Sequence, residues 1–127
     1  MTLPNTTLHC YGIPNCDTVK KARAWLAGQG VNVQFHDFKK LGVPAAELDR
    51  WLAALGWEQV LNRQGTTWRK LDEATRTAVG STAQARAVML AHPSVIKRPV
   101  VAWPDGSFSV GFDATGWQCR LAKNQLP

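Results

Sequence analysis

A chain of 127 residues that is 45% hydrophobic and 19% charged has enough apolar material for a compact domain and lies outside the range of disordered chains. Its net charge of +6 favours anionic partners, but the basic residues are scattered in pairs such as Lys20-Lys21, Lys39-Lys40, Arg69-Lys70 and Lys97-Arg98, which argues against a nucleic-acid tail. No apolar run approaches the ~20 residues that span a bilayer, Met1–Thr7 is too polar for a secretory leader, and three cysteines without a CxxC pair point to free thiols in a reducing cytoplasm.

The first predicted element is a short buried strand, Thr7–Tyr11, which ends in the turn Gly12-Ile13-Pro14-Asn15-Cys16. A helix is expected over Thr18–Gln29, because Val19, Ala22, Trp25 and Leu26 share one face and Lys20, Lys21 and Arg23 the other; Gly28 and Gly30 end it. Val31–Phe38 alternates like a strand, completing a strand–helix–strand unit long enough for a right-handed parallel crossover. After the turn Leu41-Gly42-Val43-Pro44, Pro44 is placed to open a helix over Ala45–Leu55, with Leu48, Trp51, Leu52 and Leu55 on one face and Gly56 at its end. Trp57–Asn62 reads as a further short helix, Gln64–Thr67 as a loop, and Leu71–Val79 and Thr82–Ala91 as two more helices parted near Gly80. Val95–Trp103 is β-rich, Pro104-Asp105-Gly106 is a hairpin turn, Ser107–Gly111 is the returning strand, and Asp113–Asn124 is a closing helix with Asp113 as candidate N-cap. The simplest assembly is an α/β fold with one mixed four-stranded sheet: the first two strands parallel, the last two an antiparallel hairpin, and helices on both faces. Six tryptophans favour a solid core and an aromatic-walled groove.

Cys16 is the leading candidate for chemistry. A thiol between a strand and a helix start meets unpaired backbone N–H groups and the positive end of the helix dipole, and both favour the nucleophilic thiolate. The bland alternative is a buried small hydrophobe. Asp17 beside it either disfavours the thiolate or serves the helix N-terminus, and Thr18 either donates its hydroxyl to the sulfur or caps. Arg98 offers the planar, bidentate donors that suit a carboxylate or oxyanion, against a reading as a solvated charge. Cys10 is expected in the core, and Cys119 could resolve a disulfide only if the last helix packs near Cys16. His9, His36 and His92 lie far apart in the sequence, so no metal site is expected.

Three separated segments, Gly12-Ile13-Pro14-Asn15-Cys16-Asp17-Thr18, Leu61-Asn62-Arg63-Gln64-Gly65-Thr66-Thr67-Trp68-Arg69-Lys70-Leu71 and His92-Pro93-Ser94-Val95-Ile96-Lys97-Arg98-Pro99, resemble the arsenate-reductase-like family of thioredoxin-fold proteins, which also contains the Spx-type regulators; the middle segment is most similar to the small YffB-type branch. The resemblance runs from about Leu8 to about Arg120. It implies a single thioredoxin-like domain over residues 1–127, with residues 41–92 as a helical insertion between the second and third strands. It puts Cys16 at the nucleophile position, Arg98 at the arginine before the family's cis-proline, Pro99 at that proline, and Arg63 at an oxyanion-binding arginine. Pro14, Asn15, Thr18, Arg63, Arg69 and Pro99 are then the expected substrate- and glutathione-binding residues, the backbone before Pro99 pairing with an extended thiol peptide. The segment Thr66–Lys70 is either a helix N-terminus capped by Thr67 or a lip over the thiol.

The implied activity is a glutathione-dependent thiol reductase with one catalytic cysteine, no bound cofactor, and glutaredoxin as a further electron donor. Its substrate would be a thiol compound or an anionic small molecule, and the protein a monomer with no membrane or nucleic-acid partner. The alternatives are a glutaredoxin-coupled arsenate reductase and a non-enzymatic Spx-like binding module. Four departures weaken them. Gly12-Ile13 stands where the arsenate enzymes have His-Asn, Asp17 stands where they have Gly after the nucleophile, Ser107–Gly111 lacks their third arginine, and Val19 removes the CxxC switch of the regulators.

Overall fold

The computed structural model describes residues 7–124; the expectation about a leader concerns residues largely outside that range. Two compact units emerge. One combines the chain up to Asp37 with the chain from Arg98 onward, and the other is Phe38–Lys97.

The first unit is built on a four-stranded sheet of order β2-β1-β3-β4, from β1 (Thr7–Gly12), β2 (Asn32–Asp37), β3 (Val100–Ala102) and β4 (Phe108–Val110). β1 runs parallel to β2, with Thr7 opposite Asn32 and Gly12 opposite Asp37, and antiparallel to β3, with Tyr11 opposite Val100. β3 and β4 form the expected hairpin, in which Val100 faces Val110. Side-chain alternation turns Leu8, Cys10 and Val101 to one face of the sheet. Helices α1 (Asp17–Gly28) and α8 (Ala114–Lys123) pack there, and Ala22, Leu26, Trp103, Trp117 and Leu121 complete the core. Asp113 occupies the cap position of α8 as expected, although its side chain accepts no cap hydrogen bond.

The strand expected over Val95–Trp103 is much shorter. Pro93–Val95 form a 3₁₀ turn, Ile96 makes an isolated bridge to Leu61, and only Val100–Ala102 join the sheet. The reason is hydrogen-bond competition. The Asn62 N–H donates to the Val95 carbonyl (2.7 Å) and the Lys97 N–H donates to the Val60 carbonyl (2.8 Å), while Pro99 has no N–H to offer.

The second unit contains α2 (Phe38–Leu41), α3 (Ala45–Leu55), α4 (Trp57–Val60), α5 (Thr66–Lys70), α6 (Glu73–Ala78) and α7 (Thr82–Ala91). It extends beyond residues 41 and 92 because Phe38 packs on Trp51 (ring centroids 6.0 Å apart) and Ile96 is held by Leu61. Trp51, Leu48, Val60, Ala85 and Met89 are fully buried in it. Pro44 caps α3 from outside instead of opening it, its carbonyl accepting the Leu48 N–H. The segment Thr66-Thr67, expected as loop, is helical: Gly65 is the cap, its carbonyl accepts the Arg69 N–H, and buried Trp68 anchors the turn. Helix α6 starts only at Glu73, because the Asp72 carboxylate accepts the Thr75 N–H at 2.8 Å and fixes the cap there.

Gly56 joins α3 to α4 at φ 84°, ψ 145°, a backbone region that residues with a Cβ rarely enter. Gly56→Ala should therefore cost about 1–3 kcal/mol. Gly28→Ala, at a helical position where a Cβ meets nothing within 4 Å, should be neutral or slightly stabilising. Thermal melts of the two variants would separate these outcomes, and equal midpoints would refute the backbone argument.

Candidate active site

Cys16 is the N-cap residue of α1, with extended backbone dihedrals (φ −141°, ψ 125°), and its carbonyl accepts the first intrahelical bond from the Lys20 N–H at 2.9 Å. The helix begins one residue earlier than its apolar periodicity predicts. Buried Ile13 pins the turn, and buried Val19 pins the first helical turn. Gly12 lets the end of β1 approach Val19 closely: a Cβ there would stand 3.1 Å from a Val19 methyl. The turn residues Pro14 and Asn15 are exposed, and Cys16 is half-exposed.

Arg98 reaches this corner through sheet register. Pairing of Tyr11 with Val100 carries the residues before β3 to the end of β1 from which the Cys16 turn departs. The Arg98–Pro99 peptide is cis, Pro99 is buried and Arg98 half-buried.

The Cys16 thiol is held below its ordinary pKa. Partial burial is the largest single influence and pushes it up. The backbone N–H of Val19, then the hydrogen bond and charge of the Arg98 guanidinium, then the Thr18 N–H, together outweigh it. The sulfur makes no cap hydrogen bond of good geometry, so its stabilisation comes from several donors turned toward it rather than one short bond. Thr18 thus acts through its backbone, and neither expected use of its hydroxyl is seen. The Val19 N–H was missed in the sequence, where Val19 reads only as a core residue; its signal was position, three residues beyond an N-cap. Asp17 is the first residue of α1 and is exposed.

The other cysteines are unlike Cys16. Cys10 is fully buried in the core, as expected, and burial pushes its thiol up to about 12, only partly offset by the Arg23 charge. Cys119 is exposed on α8. Arg63 and Arg69 are exposed in the helical unit: Arg63 lies 5.7 Å from the centre of the Trp57 ring and lines a shallow pocket of about 170 Å³ with Asn62, Gln64 and Lys97, and Arg69 is in the last turn of α5. No group of three or more metal-ligating side chains occurs among the described residues. The histidines are not all apart, however: parallel pairing of β1 and β2 brings His9 and His36 into contact. Among the described residues no helix is long and apolar enough to cross a membrane.

Because the thiolate is the alkylated species, the iodoacetamide rate of Cys16 should rise through a midpoint below the ~8.5 of a free cysteine. Arg98→Met removes a hydrogen bond and a positive charge, so the midpoint should move up and the rate at pH 7 fall severalfold. A Cys119→Ser background isolates the signal, and an unmoved midpoint would show that Arg98 does not act on the sulfur.

The ArsC family model matches residues 11–119. The chain is 38% identical over 112 residues to an uncharacterized protein of Haemophilus influenzae, covering 88% of this chain and 96% of the relative. Among solved structures it is similar to the YFFB (PA3664) protein, with 48% identity, TM-score 0.85 and coverage of 90% of this chain and 98% of that one. It is also similar to an arsenate reductase (ArsC) related protein from Brucella melitensis, with 50% identity, TM-score 0.71 and coverage of 91% and 94%. An arsenate reductase from Vibrio cholerae shares the fold at 22% identity and TM-score 0.72, covering 87% of this chain and 93% of that one.

Proposed function

The chain belongs to the ArsC family, and we propose that it is a glutathione-dependent thiol reductase with Cys16 as its single nucleophile. The observation that carries this reading is a half-exposed thiol at a helix N-cap, held below its ordinary pKa by the Val19 and Thr18 N–H groups and by Arg98.

In the first step the Cys16 thiolate attacks the glutathionyl sulfur of a mixed disulfide R–S–S–G. A sulfur–sulfur bond forms between Cys16 and the glutathionyl group, the sulfur–sulfur bond of R–S–S–G breaks, and the product leaves as the thiolate R–S⁻, which takes a proton from solvent. In the second step the thiolate of free glutathione attacks the glutathionyl sulfur of that enzyme disulfide. Oxidised glutathione departs, and the electron pair of the broken bond returns to Cys16 as thiolate. Glutathione is thus the reductant, and the net change is R–S–S–G plus glutathione giving R–SH plus oxidised glutathione. The second thiol comes from outside because residue 19 is a buried valine and Cys10 is buried with its thiol pushed up. Arg98 lowers the cost of the charged sulfur before attack and offers a planar donor to a substrate carboxylate.

Arsenate suits this site less well. The hairpin segment Ser107–Gly111 contains no arginine, and loss of one oxyanion donor costs about 10²–10³ in rate.

The test is NADPH consumption coupled through glutathione reductase, with a glutathione mixed disulfide as substrate and arsenate in a parallel arm. Turnover in the first arm, unaffected by Cys119→Ser and far above the arsenate arm, supports the reading. No turnover of any glutathione disulfide would overturn it in favour of a binding module.

A further inference from the structure

We propose that His9 and His36 form a two-imidazole site for a divalent first-row transition ion. This site does not depend on the thiol chemistry above.

His9 lies on β1 and His36 on β2, 27 residues apart in sequence. Register pairs His9 with Gln34 and Tyr11 with His36, so the two histidines are diagonal neighbours on one face of the sheet. Their facing nitrogens, His9 Nδ1 and His36 Nε2, stand 3.0 Å apart, with ring planes inclined by 34°. Both side chains are half-exposed, and the Tyr11 ring stacks on His36 at 4.3 Å, restricting the plane of that imidazole.

The 3.0 Å approach shows that the two imidazoles can reach one ion at about 2.0–2.1 Å after a small turn of a ring. Neutral imidazole suits several first-row ions, and Cu(II), the strongest binder of the divalent series, is the most sensitive probe. Without metal, one facing nitrogen must carry the proton of the His9–His36 hydrogen bond. Binding moves that proton to the far nitrogen of the same ring, leaving two neutral donors. The Tyr11 stack holds the His36 plane, so the His9 ring turns about its soft terminal torsion to aim both lone pairs at one point. Partial exposure leaves room for water to complete the coordination shell. A bound ion would tie edge strand β2 to β1.

The probe is Cu(II) alone, one equivalent added to the full chain carrying Cys16→Ser and Cys119→Ser, so that neither thiol reduces or captures copper. Electron spin-echo modulation should count two equatorial imidazoles. His9→Gln and His36→Gln should each leave at most one and raise the dissociation constant at least about tenfold, because a chelating pair has become a single ligand. His92→Gln should change neither readout. A parent spectrum with fewer than two imidazoles overturns the proposal without recourse to any histidine variant, and so does a two-imidazole signal that survives in both His9→Gln and His36→Gln. As a second readout, excess Ni(II) should raise the melting temperature of the parent but not of His9→Gln; equal shifts in both would also overturn it.

Discussion

Cys16→Ser should reduce glutathione-dependent disulfide reduction to the uncatalysed background, a loss on the order of 10³-fold or more. The hydroxyl of serine is not ionised at neutral pH by the donors that suffice for a thiol, and it forms no disulfide, so neither step can proceed. The fold should survive, because Cys16 is a half-exposed N-cap and serine is among the preferred N-cap residues. A melting temperature at or above that of the parent, together with lost turnover, would locate the defect in the chemistry. Retention of full activity would exclude Cys16 as nucleophile, and if Cys119→Ser then lost activity, the reaction would have to be rebuilt around the exposed thiol of α8. Arg98→Met differs in kind: it leaves the nucleophile in place and moves the pH at which it becomes reactive.

Trp117→Ala should be the most destabilising of these substitutions, by about 3–5 kcal/mol. Trp117 is 2% exposed and packs edge-on against Trp103 and Phe112, with ring centroids 5.5 and 4.9 Å away, and against Trp25 at 6.0 Å. Removing the indole leaves a void too large for these rings to close, and their mutual orientations are lost with it. Against a total stability of roughly 5–15 kcal/mol, this is a large fraction. Thermal or urea unfolding would measure it, and Trp117→Phe should recover part of the loss. A cost below about 1 kcal/mol would mean that the cluster repacks freely. The effect should also reach the thiol. Ala22 and Leu26 of α1 belong to the same core, so loosening it frees the helix whose first N–H groups face Cys16.

Much of the site was visible in the linear chain. The apolar stripe Val19, Ala22 and Leu26, following a Gly-Ile-Pro-Asn turn, placed Cys16 at the start of a helix, and all three stripe residues are fully buried. The hairpin around Pro104-Asp105-Gly106 was legible from its turn residues, and Gly106 has φ 90°. The start of α6 was displaced by a local cap at Asp72, whereas two other boundaries were set by tertiary packing and pairing. Thr66-Thr67 and Val95–Lys97 have local propensities that gave way to buried Trp68 and to hydrogen bonds with Val60 and Asn62, partners more than thirty residues distant in the latter case.

Periodicity, turn residues and capping act over a few residues, and these short-range signals were sufficient to set the order of strands and helices and the location of the reactive sulfur. Side-chain neighbours across the sheet depend on register between segments far apart in the chain. Only folding could therefore bring the Arg98 guanidinium to Cys16 and set His36 3.0 Å from His9, whereas the Val19 N–H, three residues from the sulfur, follows from the local start of the helix.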